Sequence, residues 1–317
     1  GQDNETRHVP ARYREPMDPG ASGGIEGLVD ADLAASYTGI MDAGVSGPRI
    51  GVMDHSKELV RQYWEEASCG EKLYLKDMSK KDYLQQAEIR YRLEPFILDF
   101  AEFEKYRGKK VLEIGVGLGA DHQRFAESGA DLYGIDLTQR AIDHVQRRFQ
   151  VLGLNSNLSV GDAENLDFSD DTFDLVYSWG VIHHSPDTAK AAKEIMRVLK
   201  PGGEFKVMVY HKYSLVGYML WLRYGLMKLK PFETLDQIYA QHLESPGTKA
   251  YSAEEARGMF SGADCIEIRT VLTHGDLLTS DAGQRHKGLM LSVARTMWPR
   301  FLIRRFFKNH GLFMLIR

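Results

Sequence analysis

Three glycines and a few carboxylates, imidazoles and phenols carry the chemistry this sequence can do. In Val111-Leu112-Glu113-Ile114-Gly115-Val116-Gly117-Leu118-Gly119-Ala120, an apolar run ends in Gly115, Gly117 and Gly119. Glycines between a strand and a helix let backbone approach a ligand closely, and the helix start offers it free N–H groups. Gly115, Gly117 and Ala120 also fit the dinucleotide-binding fingerprint, which tolerates Ala at its third position. Asp136 ends the next apolar run, where it can accept from ribose hydroxyls of either ligand type. Glu113 separates the two. A carboxylate inside a buried strand is costly without a partner. A cationic ligand supplies a partner directly or through water, whereas a pyrophosphate is repelled. The pyrophosphate alternative would be a nicotinamide-dependent oxidoreductase or a non-catalytic nucleotide-binding module.

Further segments follow in order. Gly161-Asp162-Ala163-Glu164 comes after a third apolar run. Next come Phe173-Asp174-Leu175-Val176-Tyr177-Ser178-Trp179, His183-His184, and Arg197-Val198-Leu199-Lys200-Pro201-Gly202-Gly203. In this order and spacing the set resembles the class I S-adenosylmethionine-dependent methyltransferase family, in its small-molecule (UbiE-type) branch. The resemblance covers about residues 108–210. It implies S-adenosylmethionine as cofactor, with Gly115, Gly117 and Gly119 around the methionine end and Glu113 behind them. It implies Asp136 on the ribose, Leu137 packed on adenine, and Asp162 and Ala163 reading the adenine edge. Backbone at Ser178 or Trp179 would meet the methionine amino group.

Methyl transfer is an in-line displacement at a sulfonium carbon, so positioning carries much of the catalysis. Holding reacting atoms about 3–3.5 Å apart can remove roughly 7–11 kcal/mol of barrier. A general base is needed only when the acceptor loses a proton. His183 and His184 are the first candidates, and chain direction allows one of them to face the site. Tyr210 and His211 are the second. Tyr91 and Arg92 are placed to close over the cofactor carboxylate, and Tyr177 is expected in the core. No Asn/Asp-Pro-Pro-aromatic sequence follows the fourth apolar run, which lowers the case for a nucleic-acid amine. No Asp/Glu grouping with metal-ligand spacing stands out, so no metal is expected.

The elements that must position these residues show in the hydrophobic pattern. Short apolar runs at Lys110–Ile114, Asp131–Ile135, Asn157–Val160, Phe173–Trp179 and Glu204–Tyr210 predict buried strands. Helical spacing over Ala120–Ser128 and Thr138–Leu152 predicts crossover helices. A further helix is expected from Ser185 as N-cap and Pro186 to Leu199. Cys265–Leu272 and Leu312–Ile316 complete seven strands. The fold class is therefore α/β, a doubly wound, mostly parallel seven-stranded sheet, which the resemblance implies is of Rossmann-like methyltransferase type. Residues 58–107 form an N-terminal helical cap, with Pro95 starting or kinking a helix. Residues 1–57 form an arm expected to pack on the main domain or a second subunit. The domain itself spans 108–317, with insertions at 211–250 and 274–308. The first insertion, with a helix over Ser214–Lys230, is expected to roof the site, with Tyr213, Tyr218, Trp221 and Tyr224 as a possible aromatic cage.

Composition narrows the partners. Net charge is −4, against a nucleic-acid partner. The two cysteines, Cys69 and Cys265, have no paired spacing, which fits a reducing cytoplasm. The opening residues are polar, with no apolar leader. The function expected is methyl transfer to a small-molecule acceptor through oxygen, nitrogen or sulfur, by a cytoplasmic homo-oligomer, a dimer by expectation. The alternative is a lipid or prenylated acceptor at a membrane surface, because Trp298–Lys308 is basic and amphipathic.

Overall fold

The computed structural model describes residues 55–245, 247–279 and 295–317. The apolar runs become seven strands: β1 (Lys110–Ile114), β2 (Asp131–Asp136), β3 (Asn157–Val160), β4 (Phe173–Trp179), β5 (Leu199–Tyr210), β6 (Ile268–Val271) and β7 (Phe313–Ile316). They form one sheet in the order β3-β2-β1-β4-β5-β7-β6. The first five strands are parallel, and β7 runs antiparallel to both β5 and β6. This is the doubly wound, mostly parallel seven-stranded sheet that the sequence predicts. Its strand order reverses between β1 and β4, so a crevice opens beyond their carboxyl ends.

Four helices precede the sheet: α1 (His55–Glu66), α2 (Glu71–Tyr74), α3 (Lys80–Leu93) and α4 (Phe96–Ala101). Pro95 separates the last two. The crossovers are α5 (Ala120–Ser128), α6 (Gln139–Leu152) and α7 (Thr188–Val198). After β5 come α8 (Leu215–Tyr224), α9 (Leu235–His242), α10 (Ala253–Met259), α11 (His274–Leu277) and α12 (Arg300–Phe306). Hydroxyl caps fix several starts. Thr138 accepts from the Ala141 N–H, and Ser252 forms a capping box with Glu255. Strand alternation divides the core. Leu112, Ile114 and Val176 pack one face of the sheet, while Val111, Tyr177 and Met208 pack the other. Among the described residues, no helix is long and apolar enough to cross a membrane.

Several boundaries differ from the sequence pattern. α7 begins at Thr188, capped by Asp187, and not at Ser185 and Pro186. Ser185 is taken by another partner, since its hydroxyl donates to Glu164. α8 stops at Tyr224, short of Lys230. A 3₁₀ turn over Leu226–Lys228 and a left-handed Leu229 break it before Pro231, which cannot continue a helix. β5 starts at Leu199, five residues early, because Leu199 pairs with Phe173 across a register shift. The arm, apart from 55–57, and the 280–294 part of the second insertion lie outside the described residues.

One buried cation locks the cap to the glycine turn. Arg148 on α6 is fully buried, and burial lowers its pKa to about 10. Its guanidinium donates to Gln123 Oε1, Gln86 Oε1 and the Leu118 carbonyl at 2.8 Å each, and to the Tyr83 carbonyl at 3.0 Å. Arg148→Met should strand these acceptors and destabilise the protein by about 2–4 kcal/mol. Urea unfolding of the two proteins measures this. An unchanged midpoint would show that the acceptors find other partners.

Candidate functional site

The turn after β1 needs glycine for two separate reasons. Gly115, Gly117 and Gly119 have φ of 81°, 50° and 76°, in the left-handed region. A Cβ on Gly115 would also lie 2.1 Å from Val181 Cγ2, whereas one on Gly117 would meet nothing within 4 Å. Gly117 therefore leaves open space. A cavity of about 280 Å³ opens over this turn. Glu113, Gly115, Gly117, Gly119, Asp136, Leu137, Asp162, Ala163 and Trp179 all line it, as do His184 and Tyr210.

The carboxylates around the cavity are held in different ways. Glu113 is 3% exposed and has a protein partner that the sequence does not suggest, His122 Nδ1 at 2.9 Å. Burial pushes Glu113 up and His122 down to about 3, so the pair avoids separated charge. Asp136 accepts from the Thr138 N–H at 3.0 Å, the Thr138 hydroxyl at 2.8 Å and the Gly117 N–H at 3.2 Å. Lys57 of α1 lies 2.7 Å from both Asp162 and Glu164. Glu65 of the same helix accepts from the Gln139 and Arg140 N–H groups at 3.1 Å each. α1 is thereby anchored along the rim.

On α3 and at its C-cap, Gln86, Arg90 and Glu94 recur at helical spacing and line the cavity together. Arg90 donates to Asp121 through Nε at 3.1 Å and Nη2 at 2.7 Å. Tyr91 and Tyr177 donate to the same carboxylate at 3.0 and 2.8 Å. Tyr177 is thus a core residue with a polar tip. Arg92 is exposed on the other side of the helix, so the cation at this end is Arg90. Burial pushes Glu94 up to about 7, against the pull of Arg90 at 3.5 Å.

At the far end, Tyr210 donates to Glu244 Oε2 at 2.6 Å, and His184 Nε2 lies 3.4 Å from the same oxygen. His184 Nδ1 sits 2.8 Å from Ser245 Oγ and 3.2 Å from Thr248 Oγ1. Trp64 meets the His184 ring edge-on. Glu244, Cys69 and Trp64 line the cavity with them. Three candidates do not line it. His183 is fully buried behind His184 and Tyr210, with ring centroids 4.2 and 4.1 Å away, and neither ring nitrogen has a hydrogen-bond partner among the described residues. Burial, then the charge of His184, holds it well below the ordinary histidine range, so it is neutral. His211 falls on the opposite side from Tyr210 by strand alternation, its Nδ1 3.3 Å from the Gly311 carbonyl. Ser178 is turned away from the cavity for the same reason and is fully buried.

The expected aromatic cage does not form. Tyr213 and Tyr218 are exposed, Trp221 donates to the Glu233 carbonyl, and Tyr224 stacks on His242. The roof is Glu244, which no local pattern marks. His183, His184 and Glu244 also bring one ligand atom each within 4.8 Å of the others. A cation site is thus geometrically open where the sequence shows no grouping, because Glu244 comes from a distant segment.

Comparison with known proteins follows the same division. Residues 112–207 match a family model described as a methyltransferase domain. Sterol 24-C-methyltransferase of Aspergillus fumigatus is 35% identical over 125 residues, covering 36% of this chain and 33% of that protein. Phosphoethanolamine N-methyltransferase 2 of Caenorhabditis elegans is 35% identical over 115 residues, covering 36% of this chain and 26% of that protein. A probable S-adenosylmethionine-dependent methyltransferase of Mycolicibacterium smegmatis is 27% identical over 196 residues, covering 62% of this chain and 69% of that protein. The chain therefore spans a third or less of the first two relatives. Arg90, Glu94 and Glu244 lie outside the matched domain.

Glu94 makes stability depend on pH. Its carboxyl rises from 4.5 to about 7 on folding, so the folded state holds the proton more tightly. Stability should fall as pH rises from below 4.5 through 7, by roughly 3 kcal/mol at most. Glu94→Gln should flatten this slope in urea unfolding across that range. Equal slopes in the two proteins would show that folding leaves the affinity of Glu94 for its proton unchanged.

Proposed function

We propose that the chain, whose residues 112–207 match a methyltransferase domain, is a class I S-adenosylmethionine-dependent methyltransferase that methylates a small molecule at an oxygen or nitrogen that gives up a proton. One observation carries this reading. The glycine turn and the Tyr210–Glu244–His184 grouping line the same cavity.

The residues present fit the cofactor. Gly117 leaves open space at the turn, Asp136 brings acceptor oxygens to the end of β2, and Arg90 brings a cation to the opposite end. S-adenosylmethionine, when bound, supplies a methyl group already activated on a sulfonium. Asp136 would accept from the ribose hydroxyls, with Leu137 against adenine. Asp162, steadied by Lys57, and Ala163 would read the adenine edge. Backbone at Gly115, Gly117, Gly119 and Trp179, together with Arg90, would hold the methionine end. Glu113 supports the turn from behind through His122.

Proton removal falls to His184. Its Nδ1 is engaged by Ser245 and Thr248, which orients Nε2 toward Glu244. The carboxylate can then stabilise the imidazolium that forms, while Tyr210 fixes the carboxylate. His183 stays neutral and serves as a packing wall. A positioned base of this kind contributes about 10²–10⁴ in rate. A lipid acceptor is the second reading, supported by the sterol-methylating relative.

Two outcomes test the assignment. Asp136→Ala should weaken S-adenosylhomocysteine binding by roughly tenfold or more, as expected when a hydrogen bond to a charged group is lost. Calorimetry reads this, and unchanged affinity would remove Asp136 from the cofactor site. His184→Ala should lower methyl transfer from labelled cofactor by about 10²-fold or more while leaving S-adenosylhomocysteine affinity intact. Full transfer by this variant, measured on the product isolated from a cell extract, would place the base elsewhere or make it unnecessary.

A further inference from the structure

Two segments outside the matched domain meet on one side of the molecule. The Leu215 N–H donates to the His310 carbonyl at 2.9 Å, and His310 Nδ1 lies 3.0 Å from the Tyr213 carbonyl. The buried Asp276 joins them from beneath. Its carboxylate accepts from the Val216 and Leu312 N–H groups, and its carbonyl accepts from Trp298 Nε1. The start of α8 and the segments on either side of α12 are thus laced together.

What this pair presents to solvent is unusual. Phe232 is 95% exposed, Leu229 89%, Phe301 80%, Met297 77%, Phe306 67% and Met227 57%. Single exposed apolar residues are ordinary, but this many on two neighbouring segments point to a contact surface. The charge is one-sided. Residues 213–232 carry Arg223, Lys228 and Lys230 and no acid, and residues 295–310 carry three arginines beyond Arg295 and Lys308, again with no acid. The chain as a whole has a net charge of −4, so this face stands against the molecular average. Arg304, Arg305 and Lys308 are all exposed. A two-fold contact with a second copy would set this cationic face against itself. An anionic lipid surface instead satisfies both features, taking apolar side chains into the acyl boundary and basic heads at the phosphates.

We propose that this face docks the protein on an anionic membrane surface, with Leu229, Phe232, Phe301 and Phe306 inserted and Arg304, Arg305 and Lys308 on the headgroups. The proposal stands independently of the methyl-transfer reading. Its test is co-flotation of the full chain with phosphatidylcholine vesicles, with and without phosphatidylglycerol. Binding is expected only with the anionic lipid, and weaker at high salt. Changing Arg304, Arg305 and Lys308 together to Gln should reduce binding by roughly a hundredfold. Phe232→Ser with Phe301→Ser should also reduce it, and both variants should keep the cooperative urea unfolding of the wild type, which shows that they fold. No flotation with either vesicle overturns the proposal. So does equal binding by wild type and both variants, or a lower oligomeric mass in the variants than in the wild type with no change in lipid binding.

Discussion

The ionised carboxylate of Asp121 is the interaction on which this cleft depends. It sits in the first turn of α5, directly after the glycine turn, and is 3% exposed. Burial alone would push it up, yet Arg90 and the hydroxyls of Tyr177 and Tyr91 hold it below the usual carboxylate range. Those three donors come from α3 and β4, so one charge joins the cap helix, the central strand and the cofactor turn. Breaking a buried pair by removing one partner costs far more than the pair contributes, which makes the junction hard to alter piecemeal. Asp121 also acts on its neighbour: together with burial, its charge raises Glu94. Two acids flanking one arginine thus settle into opposite protonation preferences.

Much of the fold is legible in the sequence because buried parallel strands are near-continuous apolar runs, as β1 and β4 are, whereas β3 is a short, mostly exposed edge strand. The positions of Gly115, Gly117 and Gly119 are legible because only glycine takes their backbone angles freely. Errors arise where a tertiary partner outbids a local one. Ser185 has the right type and place for an N-cap, but Glu164 takes its hydroxyl and Asp187 caps instead. Arg92 and Arg90 differ only in helix phase, and the stripe Gln86, Arg90, Glu94 is the signal that separates them. The side chain of His211 falls on the other side of β5 by one step of strand alternation. Glu244 carries no local signal at all, since its role comes from chain geometry across β5. The role of His122 as partner of Glu113 is equally invisible, although an unpaired acid in β1 requires some such group.

The buried imidazole of His183 shows how packing can remove a residue from chemistry. Adjacent histidines look equivalent in sequence. In the structure one is wedged between two rings with no polar contact, and the other faces a carboxylate with its second nitrogen engaged. Burial makes the first neutral, so a change in pH within the ordinary range alters the charge of the cavity through Glu94 and the exposed groups and not through His183.

The distribution of the site along the chain has a consequence for inheritance. The residues proposed for the cofactor lie mostly between Glu113 and Trp179, while Glu244 arrives from the segment after β5 and Arg90 from the cap. Copies of the gene can therefore diverge in the late segment, acquiring a different roof, while the glycine turn and its carboxylates stay fixed. Chimaeras that exchange residues 211–250 between related proteins would inherit the donor half from one parent and acceptor choice from the other.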